Sequence, residues 1–217
     1  MDTKLTGKTR IESDLIGARE IPAEALYGVQ TLRGIENFSI SKFRLSEYPL
    51  FIKGLAITKM AAAMANFELG LLTVEQKDAI IAACGEILDG KHHDQFPVDM
   101  IQGGAGTTTN MNANEVIANR ALELMGHERG EYQYCSPNDH VNCSQSTNDA
   151  YPTAIHIGMY FKHLQLLPHL EELIASFRKK GEEFSQIIKM GRTQLEDAVP
   201  MTLGQTFNGF ASILQDE

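Results

Sequence analysis

Residues 151–188, YPTAIHIGMYFKHLQLLPHLEELIASFRKKGEEFSQII, carry the longest hydrophobic pattern in the sequence. Bulky apolar residues recur from Ile155 to Phe184 at the spacing of one helix face. Pro168 interrupts this pattern, so we expect it to kink the helix or to start a new one. A helix this long needs partners for its apolar face. The stretch therefore predicts a helical bundle, with partners from elsewhere in the chain or from other subunits.

The preceding segments carry shorter helical patterns. An Ala-rich stretch from Leu50 to Leu69 predicts one helix. Thr73 and Gln76 have the spacing of a capping box and predict the start of the next. A further helix is expected from Asn110 to Met125. The region before the long stretch is thus expected to be mostly helical.

The two ends of the sequence are expected to differ. Residues 1–21 lack helical periodicity, which indicates an extended lead-in that ends at Pro22, a residue suited to the first turn of a helix. Residues 200–217 are expected to start a further helix with Pro200 in its first turn. Asp216 and Glu217 do not resemble a helix C-cap. The chain is therefore expected to stop within a helix.

Together these patterns predict a mainly α fold in two parts. Residues 1–145 are expected to form a small N-terminal helical domain. Residues 146–217 are expected to form the first part of a central helical-bundle domain, which the chain leaves incomplete.

The composition argues against several classes of function. The sequence has 28 acidic and 19 basic residues, a net charge of -9, and no Lys or Arg run that would follow a phosphate backbone, so no nucleic-acid partner is expected. The three cysteines lack CxxC spacing, which predicts neither a disulfide framework nor a zinc site and indicates a reducing cytoplasm. The apolar stretches are too short or too interrupted to cross a bilayer, so no membrane partner is expected.

Three polar loops are candidates for binding an anion. The first is 103–109, GGAGTTT, where glycines let backbone N–H groups approach a ligand and a helix dipole follows. The second is 144–149, SQSTND, and the third is 191–195, GRTQL, in which Arg192 could hold a carboxylate. Each loop also has a simpler interpretation. The first could be a capped turn, and the second could be a cluster of N-cap residues. In the third, Arg192 could close a helix C-terminus.

In this order and at these separations, the loops resemble those of the aspartase/fumarase superfamily of homotetrameric lyases. The resemblance extends over essentially the whole chain. Five regions carry it: residues 19–22 with 27–31, 103–115, 136–142, 145–153 and 189–205.

Within that superfamily, the sequence is more similar to the aspartases than to the class II fumarases. Fumarases usually have Ser-Gly-Thr-Gln-Thr where this chain has Gly-Ala-Gly-Thr-Thr at 104–108. They usually have His at the positions of Ser136 and Gln194. The resemblance implies elimination of ammonia from L-aspartate to give fumarate. Hydration of fumarate is the alternative, and a non-catalytic helical assembly module is an alternative of another class.

The resemblance also implies a mechanism. A base removes a proton from Cβ of aspartate, and the resulting dianion, with its charge on the neighbouring carboxylate, expels ammonia from Cα. Such charge needs hydrogen-bond donors and no metal or cofactor is implied. By resemblance, the residues that bind the substrate are Thr107, Ser146, Thr147, Asn148, Thr193 and Gln194.

The catalytic base is expected outside this sequence. In the family it is a serine on a Gly-Ser-Ser loop beyond the third polar loop, and three subunits contribute to each site. No catalytic residue is therefore expected among these 217 residues, and little or no activity is expected from them by themselves.

Overall fold

The computed structural model describes residues 7–217. The chain divides into two compact units, Met1–Met159 and Tyr160–Glu217. This division falls within a long helix, whereas the sequence predicts a domain boundary at residues 145/146. We describe each unit by itself.

The first unit begins with a β-hairpin. Strand β1, Thr9–Asp14, pairs in antiparallel register with β2, Gly17–Pro22. The Asp14 carboxylate accepts hydrogen bonds from the backbone N–H groups of Ile16 and Gly17, which closes the turn. The extended lead-in is confirmed for residues 9–14 and 17–21, although its pairing was missed, and residues 1–6 lie outside the described part. The expectation that Pro22 opens a helix is wrong, because Pro22 ends β2.

Four helices complete most of the first unit: α1, Val29–Asn37; α2, Pro49–Glu68; α3, Val74–Leu88; and α4, Thr107–Leu124. Short helical turns lie at Leu45–Glu47 and His93–Gln95, and a π-helix spans Pro137–Val141. The predicted capping box of α3 is confirmed, since Thr73 Oγ1 accepts from the Gln76 N–H and Gln76 Oε1 accepts from the Thr73 N–H.

Helix α4 lies at the centre of the core of this unit. Its apolar residues Val116, Ile117 and Leu122 are fully buried. Four asparagines and Glu115 on the same helix are buried as well. Buried amides need hydrogen-bond partners. The polar half of α4 therefore connects to other segments by specific hydrogen bonds.

Helix α5, Thr147–Glu183, starts in the first unit and packs closely on α2 there. A Cβ atom on Gly54 would collide with the Ala154 carbonyl, and one on Gly158 would lie 3.1 Å from the Leu50 carbonyl oxygen. The two backbones approach this closely because glycine has no side chain.

By length and composition α2 could cross a membrane, which corrects the expectation that every apolar stretch is too short or too interrupted to do so. The core helix of a soluble protein passes the same test. Ile52, Leu55 and Ala63 of this helix pack into the core of the first unit.

The second unit contains the rest of α5, a hairpin and a last helix. Strands β3, Ile188–Thr193, and β4, Glu196–Thr202, are antiparallel, and α6 spans Leu203–Asp216. Four aromatic rings pack together between α5 and α6; these are Phe177, Phe184, Phe207 and Phe210.

Neither proline in this part of the chain starts a helix. Helix α5 continues through Pro168, so no new helix begins there, and the kink expected at this residue stays a prediction. The helix is exposed at Pro168, so water can bond the carbonyl that lacks its N–H donor. Pro200 lies in β4 opposite Met190, and a two-stranded sheet tolerates proline because both strands are edges. The helix predicted from residue 200 begins at Leu203 instead.

Candidate functional site

Hydrogen bonds between the residues that flank it, Gln102 and Thr109, close the glycine loop at residues 103–106. Gln102 Oε1 accepts from the Thr109 N–H at 2.9 Å, and Gln102 Nε2 donates to Thr109 Oγ1. Gln102 therefore caps the first turn of α4, as the simpler interpretation of this loop required. The cap uses only one backbone N–H group of that turn and leaves residues 104–106 beside a cavity.

Gly106 cannot be replaced without rearrangement of this loop. Its φ is +89°, a left-handed conformation that favours glycine. A Cβ atom at this position would also collide with the ring of Tyr151 on α5. Tyr151 in turn packs edge-on against Phe51, with ring centroids 5.5 Å apart. The aromatic pair thus fixes the glycine loop against α5.

The first and second polar loops meet at one cavity of about 490 Å³ within the first unit. The glycine loop lines one side of this cavity, and Asn148 with Tyr151 lines the other. Thr107, the first residue of α4, is exposed, and its hydroxyl oxygen lies over Gly104. Of the predicted residues in these two loops, Asn148 lines the cavity directly. Thr107 directly follows Gly106, which lines the cavity.

The second loop contains the N-cap that the sequence offered as the simpler of its two interpretations. Ser146 is the N-cap of α5, because its Oγ accepts from the Asn148 N–H at 3.2 Å and its carbonyl accepts from the Ala150 N–H at 3.0 Å. Thr147 Oγ1 accepts from Asn110 Nδ2 at 3.2 Å. Capping therefore accounts for Ser146, whereas Thr147 and the Asn148 side chain need another explanation.

A buried polar network behind this loop was missed in the sequence. Lys59 of α2 is 0% exposed, and its Nζ donates to Asn142 Oδ1 at 2.9 Å and to Gln145 Oε1 at 3.0 Å. Burial lowers the pKa of Lys59 to about 7. The signal was present, because Lys59 shares one helix face with the core residues Ile52 and Ala63.

The buried carboxylate of Glu115 holds the segment that includes residues 27–31. The two Glu115 carboxylate oxygens accept from the N–H groups of Gly28, Gln30 and Thr31 at 2.8–3.0 Å. Burial raises the pKa of the Glu115 carboxyl. These bonds cap the first turn of α1 and tie it to α4. Two regions of the sequence resemblance, 27–31 and 103–115, are thereby joined by structure.

The third polar loop lies in the second unit and is a hairpin turn, which corrects the prediction of a loop between two helices. Thr193 ends β3, and Gln194 and Leu195 form the turn with φ values of +50° and +66°. Thr193 and Gln194 are exposed, and Leu195 is 100% exposed. Arg192 pairs with Asp197 across the hairpin at 3.3 Å rather than closing a helix.

Within residues 7–217, no group of three or more His, Cys, Asp or Glu side chains is placed to hold a metal ion. The polar atoms at the cavity are instead backbone, amide and hydroxyl groups.

Comparison with known proteins places the chain among lyases. Residues 17–217 match the sequence model of a family described as "Lyase". The aspartate ammonia-lyase of Escherichia coli K12 is 56% identical over 214 residues, which are 98% of this chain and 45% of that protein. The aspartate ammonia-lyase of Helicobacter pylori J99 is 60% identical over 202 residues, 93% of this chain and 43% of that protein.

Two solved structures share the fold. A fumarate lyase:delta crystallin from Brucella melitensis is 54% identical, with a TM-score of 0.89 over 96% of this chain and 45% of its own. The class II fumarase of Schistosoma mansoni is 39% identical, with a TM-score of 0.85 over 96% of this chain and 44% of its own. The chain spans less than half the length of these relatives.

Proposed function

Because the chain belongs to the lyase family whose model matches residues 17–217, we propose that the complete protein eliminates ammonia from L-aspartate to give fumarate. The higher identity to the two aspartate ammonia-lyases than to the class II fumarase supports aspartate as the substrate. The mainly helical fold and the paired polar loops of the first unit are consistent with this chemistry.

The observation that carries the proposal is the cavity shared by the glycine loop and Asn148. Loss of a proton from Cβ of aspartate places a second negative charge on the adjacent carboxylate. Donors aimed at such an oxyanion are commonly worth on the order of 10²–10³ in rate each. The glycine loop offers backbone N–H groups and Asn148 offers an amide for this purpose.

Thr147 is suited to donate a hydrogen bond to the substrate. Its hydroxyl oxygen already accepts a hydrogen bond from Asn110, so its own O–H hydrogen is directed elsewhere. We assign Thr147 and Asn148 to one carboxylate or to the amine, together with Thr107 and Ser146. Thr193 and Gln194 are assigned to the other carboxylate.

A pair of threonine variants tests this assignment in the complete reading frame that encodes the chain. Thr147→Val keeps the side-chain shape but removes the hydroxyl, and we expect kcat for aspartate to fall on the order of 10²-fold. Thr58→Val is the matched control, because the Thr58 hydroxyl donates to the Gly54 carbonyl of its own helix. Fumarate release is followed by ultraviolet absorbance. Equal kcat in both variants contradicts the assignment of Thr147.

The quaternary structure and location of the protein are part of the same proposal. Apolar side chains on α5 and α6 are exposed, among them Leu164, Leu166 and Ile213. Such exposure supports a homotetramer that covers these side chains. The free cysteines support a cytoplasmic location. The proposed reaction assigns the enzyme to amino-acid metabolism, with a small dicarboxylate as its ligand. A monomeric mass for the complete protein in solution would exclude the tetramer.

A further inference from the structure

Asn142 connects three segments of the first unit through one amide group. Its Oδ1 accepts from Lys59 Nζ on α2 at 2.9 Å, and from Asn110 Nδ2 and Asn114 Nδ2 on α4 at 3.0 and 3.1 Å. Its Nδ2 donates to the Gln145 carbonyl at 3.0 Å. A carbonyl oxygen has two lone pairs, so three donors saturate it. The orientation of the Asn142 amide is therefore fixed, with its oxygen toward the core and its nitrogen toward the second polar loop.

The orientation of Asn142 determines that of Asn110. The Asn110 Nδ2 group donates one hydrogen bond to Asn142 Oδ1 and another to Thr147 Oγ1, at 3.0 and 3.2 Å. If the Asn110 amide were reversed, its oxygen would face the Asn142 oxygen. Asn110 Oδ1 is buried without a protein partner. The orientation of Asn110 is thus set from its nitrogen side, by Asn142.

The same orientation controls the proton of Thr147. Because Asn110 presents an N–H group to Thr147, the hydroxyl oxygen accepts and its hydrogen remains available to a ligand. With the Asn110 oxygen in that place, the hydroxyl would donate to Asn110 instead. Asn110 does not line the cavity, yet the orientation of its amide decides whether Thr147 can act as a donor.

We propose that Asn142 is a positioning residue for Thr147, acting through Asn110. The inference rests on the proposed function, in which Thr147 donates a hydrogen bond to the substrate.

A double-mutant cycle with Thr147 tests this inference in the complete enzyme. Asn142→Ala is expected to lower kcat/KM for aspartate about 10- to 100-fold, mainly through kcat, because a misdirected donor is lost in the transition state. In the Thr147→Val background the same substitution is expected to change kcat/KM less than about threefold, because residues that act through one another are not additive. A purely structural role predicts that the two effects multiply, which would overturn the proposal.

The chain offers a control on α4, the helix that carries Asn110. Asn112 is as buried as Asn110, but its Nδ2 donates to the Gln95 carbonyl at 3.0 Å. Asn112→Ala is expected to change kcat/KM by the same factor in the wild-type enzyme and in the Thr147→Val background. Non-additivity for Asn112 as large as for Asn142 would show that any loss of core polarity has this effect, and the proposal would then be wrong.

A second variant keeps the test decisive if Asn142→Ala does not fold. Asn110→Asp has nearly the same size but replaces the N–H donor to Thr147 with an oxygen. We expect the same loss of kcat, which again disappears in Thr147→Val, and undiminished kcat overturns the proposal. A complete enzyme that does not act on aspartate at all refutes the proposed function instead, so the two failures are distinguishable.

Discussion

Replacement of Gly106 by alanine should be among the most damaging single-methyl changes in the first unit. A left-handed φ of +89° costs a residue with a Cβ about 1–2 kcal/mol. The added methyl group also overlaps the Tyr151 ring, and overpacking costs typically 1–3 kcal/mol. We therefore expect Gly106→Ala to lower the free energy of unfolding by about 2–5 kcal/mol.

Gly85 provides the matched control for this substitution. It lies in α3 with nothing within 4 Å of an added Cβ, and alanine favours a helix over glycine by about 0.5–1 kcal/mol. Gly85→Ala should therefore stabilise the protein slightly. Urea-induced unfolding of both variants, followed by circular dichroism at one protein concentration, measures the difference.

The two contributions at Gly106 can be separated with Tyr151. In a Tyr151→Ala background the steric overlap is gone, and Gly106→Ala should cost only the backbone contribution of about 1–2 kcal/mol. The same cost in both backgrounds would refute the packing of Tyr151 on the glycine loop. If Gly106→Ala were as harmless as Gly85→Ala, the left-handed conformation of the loop would be wrong as well.

Three further predictions test the electrostatics and the hairpin. The Arg120 hydrogen bonds lower the pKa of Glu86 to about 2 from 4.5, so its stabilisation is present at neutral pH and is lost as the pH falls from 4.5 toward 2. Glu86→Gln should lower the free energy of unfolding by about 1–3 kcal/mol at pH 7, and urea titrations should show the difference shrinking in acid. Lys59 is neutral in the folded state above about pH 7, whereas in the unfolded state it stays charged up to about pH 10.5. The free energy of unfolding should therefore rise with pH over that range. Lys59→Met should remove this rise, which urea unfolding at pH 7 and pH 9 measures. Leu195→Gly should stabilise the hairpin by up to about 1–2 kcal/mol because φ is +66°, whereas Val199→Gly in β4 should destabilise it in the same thermal melt.

Much of the helical structure of the first unit could be predicted from the sequence. The capping box at Thr73 involves neighbouring residues only, so the sequence contains all its information. Helix α4 starts at Thr107 rather than at Asn110, because the cap comes from Gln102, on the far side of the glycine loop. The hairpins were harder to predict. Strand pairing at residues 9–22 and 188–202 joins short polar segments that show little alternation.

The candidate site was only partly predictable for a similar reason. The polar loops were identified by their residue types, and the structure places the first two at one cavity. The network of Lys59, Asn110 and Asn142 joins residues that lie far apart in the sequence, so their spacing gave no direct signal. The assignment of Thr107, Ser146, Thr147, Asn148, Thr193 and Gln194 to the substrate stays a prediction.

The central claim is the reaction, and substrate choice tests it most directly. The complete protein encoded by this reading frame is offered L-aspartate in one cuvette and L-malate in another, and the absorbance of fumarate is followed. We expect fumarate from aspartate and none from malate. Fumarate from malate alone would contradict the account and assign the same fold and loops to a fumarase, and no product from either would favour a non-catalytic assembly module.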